Sequence, residues 1–271
     1  MTESTGVVNS DALGEEALHS ILVSVLEAAA TPETAEWFTR YLKGVITYRG
    51  VKTPQLKTAL KSVFAQSGAD RLPADEQLRH IRHWLAQPMA EDKLTAILWL
   101  KQWLKRKDPD VTAEDRIAAM LGMVEDALGA GDIHDWSTND WLCVRVLEEV
   151  PLKTPDFIPR LVGWAESETV WQRRCAILAF KKAGKSGLHH DVIADLVQRL
   201  LPSEERFVQT GIGWVLADAS RKHPEFAAAI FEAHFEQLSH EVIVRHAKYL
   251  PNHAELKQRS AQRCGREKSG R

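Results

Sequence analysis

The chain has 271 residues, 44 % of them hydrophobic and 27 % charged, which is enough to bury a core without disulfide or metal staples. Its net charge of −2 argues against a uniformly basic nucleic-acid surface, and no apolar run approaches the roughly 18 residues of a membrane span. Cys143, Cys175 and Cys264 lie far apart and form no Cys-x-x-Cys pair, so they read as thiols rather than bridges.

The amino terminus, MTESTGVVNSDALGEE, lacks a basic start followed by an apolar block, so the expected location is the cytoplasm. Residues 1–12 are polar and expected to be disordered, residues 13–251 form the folded domain, and residues 252–271 read as a basic disordered tail. Residues 1–39 hold seven acids and no Lys or Arg, leaving 35 basic against 30 acidic groups in the rest. The surplus is clustered at 100–107 (LKQWLKRK), at 172–185 (QRRCAILAFKKAGK) and in the tail, a distribution that invites an electrostatic partner.

Between those ends the apolar residues recur at i, i+3, i+4 and i+7. The pattern predicts helices over 16–30, 53–66, 75–87, 89–106, 112–129, 154–166, 170–184, 190–201, 204–222 and 224–238. Thr53-Pro54, Thr112 with Glu114 and Asp115, Thr154-Pro155 and Ser203 with Glu204 mark helix starts. Many short helices joined by short loops, with a period near 40 residues, predict an all-α, right-handed HEAT-like solenoid with one concave face; a pair of helical bundles is the alternative. Between the predicted helices at 112–129 and 154–166 lies DIHDWSTNDWLCVRVL, residues 132–147, where Trp136 and Trp141 bracket a polar run ending in Asp140.

Several chemistries lack support. His80 and His83 are three apart and His189-His190 are adjacent, with no third ligand at a metal-binding spacing. AGKSG at 183–187 has Ala179 where a phosphate-binding loop needs its first glycine, and no Gly-x-Ser-x-Gly elbow is present. No metal or cofactor is expected, which leaves carboxylates, arginines and tryptophans to do the work.

Three separated segments, Trp136-x-x-x-Asp140, Trp171-Gln172-Arg173-Arg174 followed by CAIL, and FVQTGIGWVL containing Trp214, resemble signature positions of the AlkD-like DNA alkylation repair glycosylases. YRGVKTPQLKTALK (48–61) and HWLAQPMAEDKLTAILWLKQW (83–103) extend the resemblance to about residues 35–250. It implies a HEAT-like fold and hydrolysis of the N-glycosidic bond of cationic N3- or N7-alkylated purines in duplex DNA, by a monomer without cofactor. It also implies that full extrusion of the base is unnecessary. Asp140 is then the catalytic carboxylate, Trp136 and Trp214 the aromatic walls, and Arg174 the cation on backbone phosphate. The sequence departs from the family pattern at Ala217, where an arginine is typical, and at Ser137, which replaces an acid.

The residues can carry that chemistry. A cationic purine is already a good leaving group, so one fixed carboxylate suffices to stabilise the sugar cation and direct a water. Indole faces attract cations by roughly 0.5–2 kcal/mol. On a wheel at 3.6 residues per turn, Arg174, Lys181 and Lys185 fall within roughly 40 degrees, with Lys182 at the edge. With Arg173, Lys52 beside Thr53, Arg245 and Lys248, they are the DNA-backbone candidates. Each feature also has a structural reading: Asp140 as a helix-start acid, Trp214 as core, the basic stripe as a solvated face. A non-catalytic HEAT-like scaffold binding DNA or protein is therefore the alternative function.

Overall fold

The computed structural model of the chain describes residues 14–106 and 111–269. Among them every regular element is helical, as the periodicity predicts, and one isolated bridge pairs Thr47 with Met89. None of the described helices is long and apolar enough to cross a membrane. The expectation for residues 1–12 lies outside the described residues. The chain divides into two compact units, residues 1–108 and 109–271.

The first unit contains α1 (Glu15–Ala29), α2 (Pro32–Leu42), α3 (Thr53–Ser67), α4 (Ala74–Ala86) and α5 (Ala90–Trp103). Every residue of α5 from Ala90 to Leu100 is buried, which makes it the unit's central helix. Its buried charges are all engaged: Glu91 accepts from the backbone N–H groups of Arg49 (2.9 Å), Gly50 (2.8 Å) and Val51 (3.0 Å), and Asp92 accepts both Arg49 guanidinium donors at 2.7 and 3.0 Å. Gly50 has φ +106°, and a Cβ there would lie 2.2 Å from the Thr31 carbonyl oxygen, so only glycine permits this approach. The pinned loop delivers Lys52 and Thr53 to the start of α3. Lys52 rather than Thr53 occupies the cap position, and the Gln55 side chain accepts its N–H at 3.1 Å.

The second unit contains α6 (Ala113–Gly129), α7 (Trp136–Arg145), α8 (Val150–Lys153), α9 (Ile158–Gly163), α10 (Val170–Leu178), α11 (Lys181–Lys185), α12 (His190–Leu200), α13 (Arg206–Ser220), α14 (Pro224–Ala233), α15 (His240–His246) and α16 (His253–Ser269). Helix α13 is its spine, packing against α10, α11, α14 and α15, while α7 packs on α10. Thr112 and Asp115 close the predicted capping box of α6.

Four sequence expectations are corrected here. The segment 154–166 is not one helix: Pro155 and Pro159 split it into 3-10 turns flanking the short α9. The segment 170–184 breaks after Leu178, where the Phe180 N–H bonds Ile177 O, a tightened step that shifts the wheel on which Arg174 and the later lysines were aligned. Helix α13 starts at Arg206 rather than at Ser203, whose hydroxyl lies 3.4 Å from the Glu205 N–H instead. Residues from His253 to Ser269 are helical: Leu256 and Ser260 are fully buried, Arg263 donates to the carbonyls of Phe235 and Leu238, and Arg259 lies 4.2 Å from the Phe235 ring centroid. A polar segment with few apolar residues is thus held by capped carbonyls and cation–π contacts, which composition alone does not reveal.

Candidate active site

Helix α7 has a conventional start. Asp135, 1 % exposed, is its cap, accepting from the N–H groups of Ser137 (2.8 Å) and Thr138 (3.2 Å) and from both hydroxyls. Capping therefore needs neither Trp136 nor Asp140. These two sit four residues apart, on one face of the helix, and both are only half-buried. Trp141 lies elsewhere, beneath Arg145, whose guanidinium is 4.9 Å from its ring centroid.

Arg174 of α10 meets Asp140 in a two-pronged pair, Nε to Oδ1 at 2.7 Å and an NH2 donor to Oδ2 at 2.9 Å. The side chains are 6 % and 14 % exposed, so the pair is largely out of water yet the carboxylate still reaches solvent. The remaining terminal nitrogen of Arg174 turns to α13, donating to the Phe207 carbonyl and, at 3.2 Å, to the Thr210 hydroxyl. Gly211 leaves room for this arrangement: a Cβ there would lie 3.3 Å from that nitrogen, a tight contact. The packing explains one of the two glycines in TGIGW; a Cβ on the other, Gly213, would meet the His246 ring at 2.6 Å.

Trp214 follows Thr210 by one helical turn on the same face of α13. Lys181 lies over it, with Nζ 4.7 Å from the ring centroid, and is held there by Asp218 at 2.6 Å. The four residues lie on three helices packed in series, Trp136 and Asp140 on α7, Arg174 on α10 and Trp214 on α13, and of the four it is Asp140 and Arg174 that are in direct contact. One expected role changes. Arg174 is not presented as an open cation for phosphate; it is a buried group whose donors position Asp140 and join α10 to α13.

Burial pushes the Asp140 carboxyl above its ordinary range, and the Arg174 hydrogen bonds and charge oppose that rise. Behind the pair, Cys143 and Cys175 bring their sulfurs to 3.4 Å, and Cys175 donates to the Asn139 Oδ1 at 3.1 Å. Both thiols are fully buried, and burial lifts Cys143 well above the usual thiol range. They pack between α7 and α10 as free thiols, and although far apart in sequence the two are neighbours in the fold.

The basic candidates separate into two groups. Arg173 donates to the carbonyls of Ser167 and Glu168, Lys181 pairs with Asp218, Lys182 with Glu149 at 2.5 Å and Arg245 with Glu241 at 2.6 Å. These four are paired within the protein, so Lys181 and Lys182 of the expected stripe, and Arg173 and Arg245 beside it, already have protein partners. Lys52, Lys185 and Lys248 are exposed and have no carboxylate partner among the described residues, and Thr53 is half-buried beside Lys52. Ala217 is only 5 % exposed, so its position faces packed side chains. Sequence reading missed Asp135, Thr210 and Gly211; the Asp-x-Ser-Thr spacing of a helix cap was the available signal for the first.

Among the described residues His80 takes no part in any metal-like grouping. His83 instead approaches α1, where one ligand atom each from Glu16, His19 and His83 lie within 4.8 Å of one another. The His19 Nε2 is already 3.3 Å from Asp92, and the His83 Nε2 is 3.1 Å from Gln87.

A family model described as DNA alkylation repair enzyme matches residues 22–250. Among solved structures, the chain is similar to the "Predicted DNA alkylation repair enzyme from Enterococcus faecalis", with a TM-score of 0.62 and 18 % identity over 75 % of this chain and 89 % of that one. Likeness at that identity speaks for the fold. No curated protein matches the sequence.

Proposed function

The chain belongs to the DNA alkylation repair enzyme family, and from that premise we propose that it is a monofunctional DNA glycosylase. Its substrates are cationic N3- or N7-alkylated purines in duplex DNA, and the bond it hydrolyses is the N-glycosidic one. The observation that carries the reading is the largely buried Asp140 carboxylate, fixed on both oxygens by Arg174 and sharing a helix face with Trp136.

Each carboxylate oxygen has about two acceptor positions, so a two-pronged arginine leaves one on each. Those remaining positions accept a water and direct it at the anomeric carbon, while the fixed negative charge stabilises the sugar cation as the purine departs. The purine leaves neutral because it was cationic when bound, and the water's proton passes to Asp140 or solvent. No external acid or cofactor is required. Trp136 and Trp214 favour the charged lesion over neutral DNA through their ring faces. Arg174 acts by holding Asp140 ionised against its burial, a positioning role rather than a phosphate grip.

The test is base release from duplex DNA carrying 7-methylguanine or 3-methyladenine, comparing the protein with Asp140→Asn. Release by the wild type and its loss in the variant support the reading. A second reading, a non-catalytic scaffold, is favoured by one observation: the arginine that engages both oxygens of Asp140 also ties α10 to α13. Salt-dependent DNA binding without any base release would select it.

A further inference from the structure

Two cations of the second unit, Arg221 and Lys248, gather on one exposed ring. Arg221, at the end of the α13 stripe that carries Trp214 and Asp218, donates to the Tyr249 hydroxyl oxygen at 2.6 Å and lies 4.4 Å from that ring's centroid. Lys248 lies against the same ring, its Nζ 5.0 Å from the centroid. Tyr249 itself is 39 % exposed, so both cations are gathered on an open aromatic surface. The neighbouring acid, Asp218, is 4.0 Å from Arg221 but only 2.6 Å from Lys181, which neutralises it. Lys248 has no carboxylate partner among the described residues. Two like charges held on one ring repel each other, and a bridging anion relieves that repulsion.

We propose that Arg221, Lys248 and Tyr249 form a binding site for a DNA backbone phosphodiester. Arg221 and Lys248 supply the charge. Tyr249 accepts from Arg221 and therefore keeps its own O–H to donate to a phosphate oxygen. Residues 214, 218 and 221 share one face of α13, and seven residues at 1.5 Å rise place Arg221 about 10 Å from Trp214 along the helix. That spacing corresponds to about three base steps at 3.4 Å each. The site thus grips the strand at a short, fixed distance from the Trp214 wall. The choice of DNA as ligand rests on the glycosylase reading above.

The experiment measures binding of the full chain to a fluorescein-labelled duplex containing 7-methylguanine, by anisotropy, from 50 to 200 mM NaCl. Each phosphate contact contributes about 0.9 to the slope of log affinity against log salt, so Arg221→Gln with Lys248→Gln lowers the slope by about 1.8. Over this fourfold range the wild type then loses about tenfold more affinity than the double variant. Arg221→Lys with Lys248→Arg keeps the charges and restores the slope. An unchanged melting temperature in both variants excludes unfolding as the cause. The proposal is overturned if the glutamine variant keeps the wild-type slope, or if the wild type binds without salt dependence. Base release under saturating enzyme is measured in parallel: a wild type that shows the expected slope but releases no base loses the glycosylase reading and keeps the phosphodiester site.

Discussion

Arg174→Met tests whether the Asp140–Arg174 pair is the electrostatic centre of the site. The substitution keeps most of the apolar stem and removes two donors to Asp140 and those to Phe207 and Thr210. It leaves Asp140, whose side chain is 14 % exposed, without its counter-charge. Stranding one partner of a buried pair costs about 3–5 kcal/mol. At about 2–4 °C per kcal/mol for a domain of 150–250 residues, the melting temperature falls by roughly 6–20 °C. The sign of the pH dependence follows from the opposing effects on Asp140. Burial raises its pKa and Arg174 lowers it, so removing Arg174 leaves burial to raise it further. A carboxyl whose folded pKa exceeds its unfolded value binds protons more tightly when folded. The stability deficit is therefore full at pH values above the folded pKa and shrinks as pH falls towards the unfolded one. Combining Arg174→Met with Asp140→Asn removes the stranded charge and recovers part of the loss. Urea unfolding from pH 4.5 to 8 measures all four corners of this cycle. The reasoning fails if Arg174→Met loses less than about 1 kcal/mol, or if the double variant is no more stable than the single one.

Four further outcomes follow from the same geometry. Arg174→Lys keeps a charge but not the two-pronged grip; the acid limb of its base-release profile shifts to higher pH, and an unshifted limb would contradict the positioning role. Asp135→Ala removes the α7 cap, lowering stability by about 0.5–2 kcal/mol in chemical unfolding and reducing base release more than binding, because Trp136 and Asp140 are both set by that first turn. His246, held down to about 4 mainly by burial, stays neutral when folded; since the unfolded chain takes up its proton first, stability declines as pH falls from 6.5 towards 4, and His246→Asn flattens that part of the unfolding curve. Leu256→Ala, at a site 0 % exposed in α16, destabilises by about 2–5 kcal/mol in urea, whereas a disordered tail predicts no change.

The legible part of this protein is what local patterning encodes. Helices α1, α6 and α12 carry their apolar stripe in the sequence, and the buried leucines of α1 recur every four residues at 18, 22 and 26. The placement of Trp136 and Asp140 on one face follows from their spacing once residues 136–145 are helical, and the Asp135 cap that starts this helix is not read from the sequence. Helix α2 is not among the predicted elements although Trp37, Phe38, Tyr41 and Leu42 recur at helical spacing; it buries only Leu42 and exposes Trp37 and Tyr41. The charge clusters misled for a different reason. Lys181 and Lys182 lie in a stretch with no acids, yet their partners, Asp218 and Glu149, come from distant segments. Counting neighbours in sequence cannot find a counter-ion that folding brings in. The same holds for Arg174, whose burial depends on Gly211 allowing α10 to approach α13.

That burial also bears on how a site of this kind can prefer a cation. An aspartate in a partly desolvated place tends to hold its proton, and a protonated acid offers nothing to a developing sugar cation. A cation close by keeps it ionised, but an exposed one is also available to the DNA backbone. Burying the arginine separates the two tasks. Arg174, with three of its nitrogens engaged inside the protein, cannot move to a phosphate without abandoning both Asp140 and α13. Of the two side chains, that of Asp140 is the more exposed, 14 % against 6 %. In the glycosylase proposed above, phosphate binding therefore falls to other cations, such as Lys185 and Lys248, which have no carboxylate partner among the described residues.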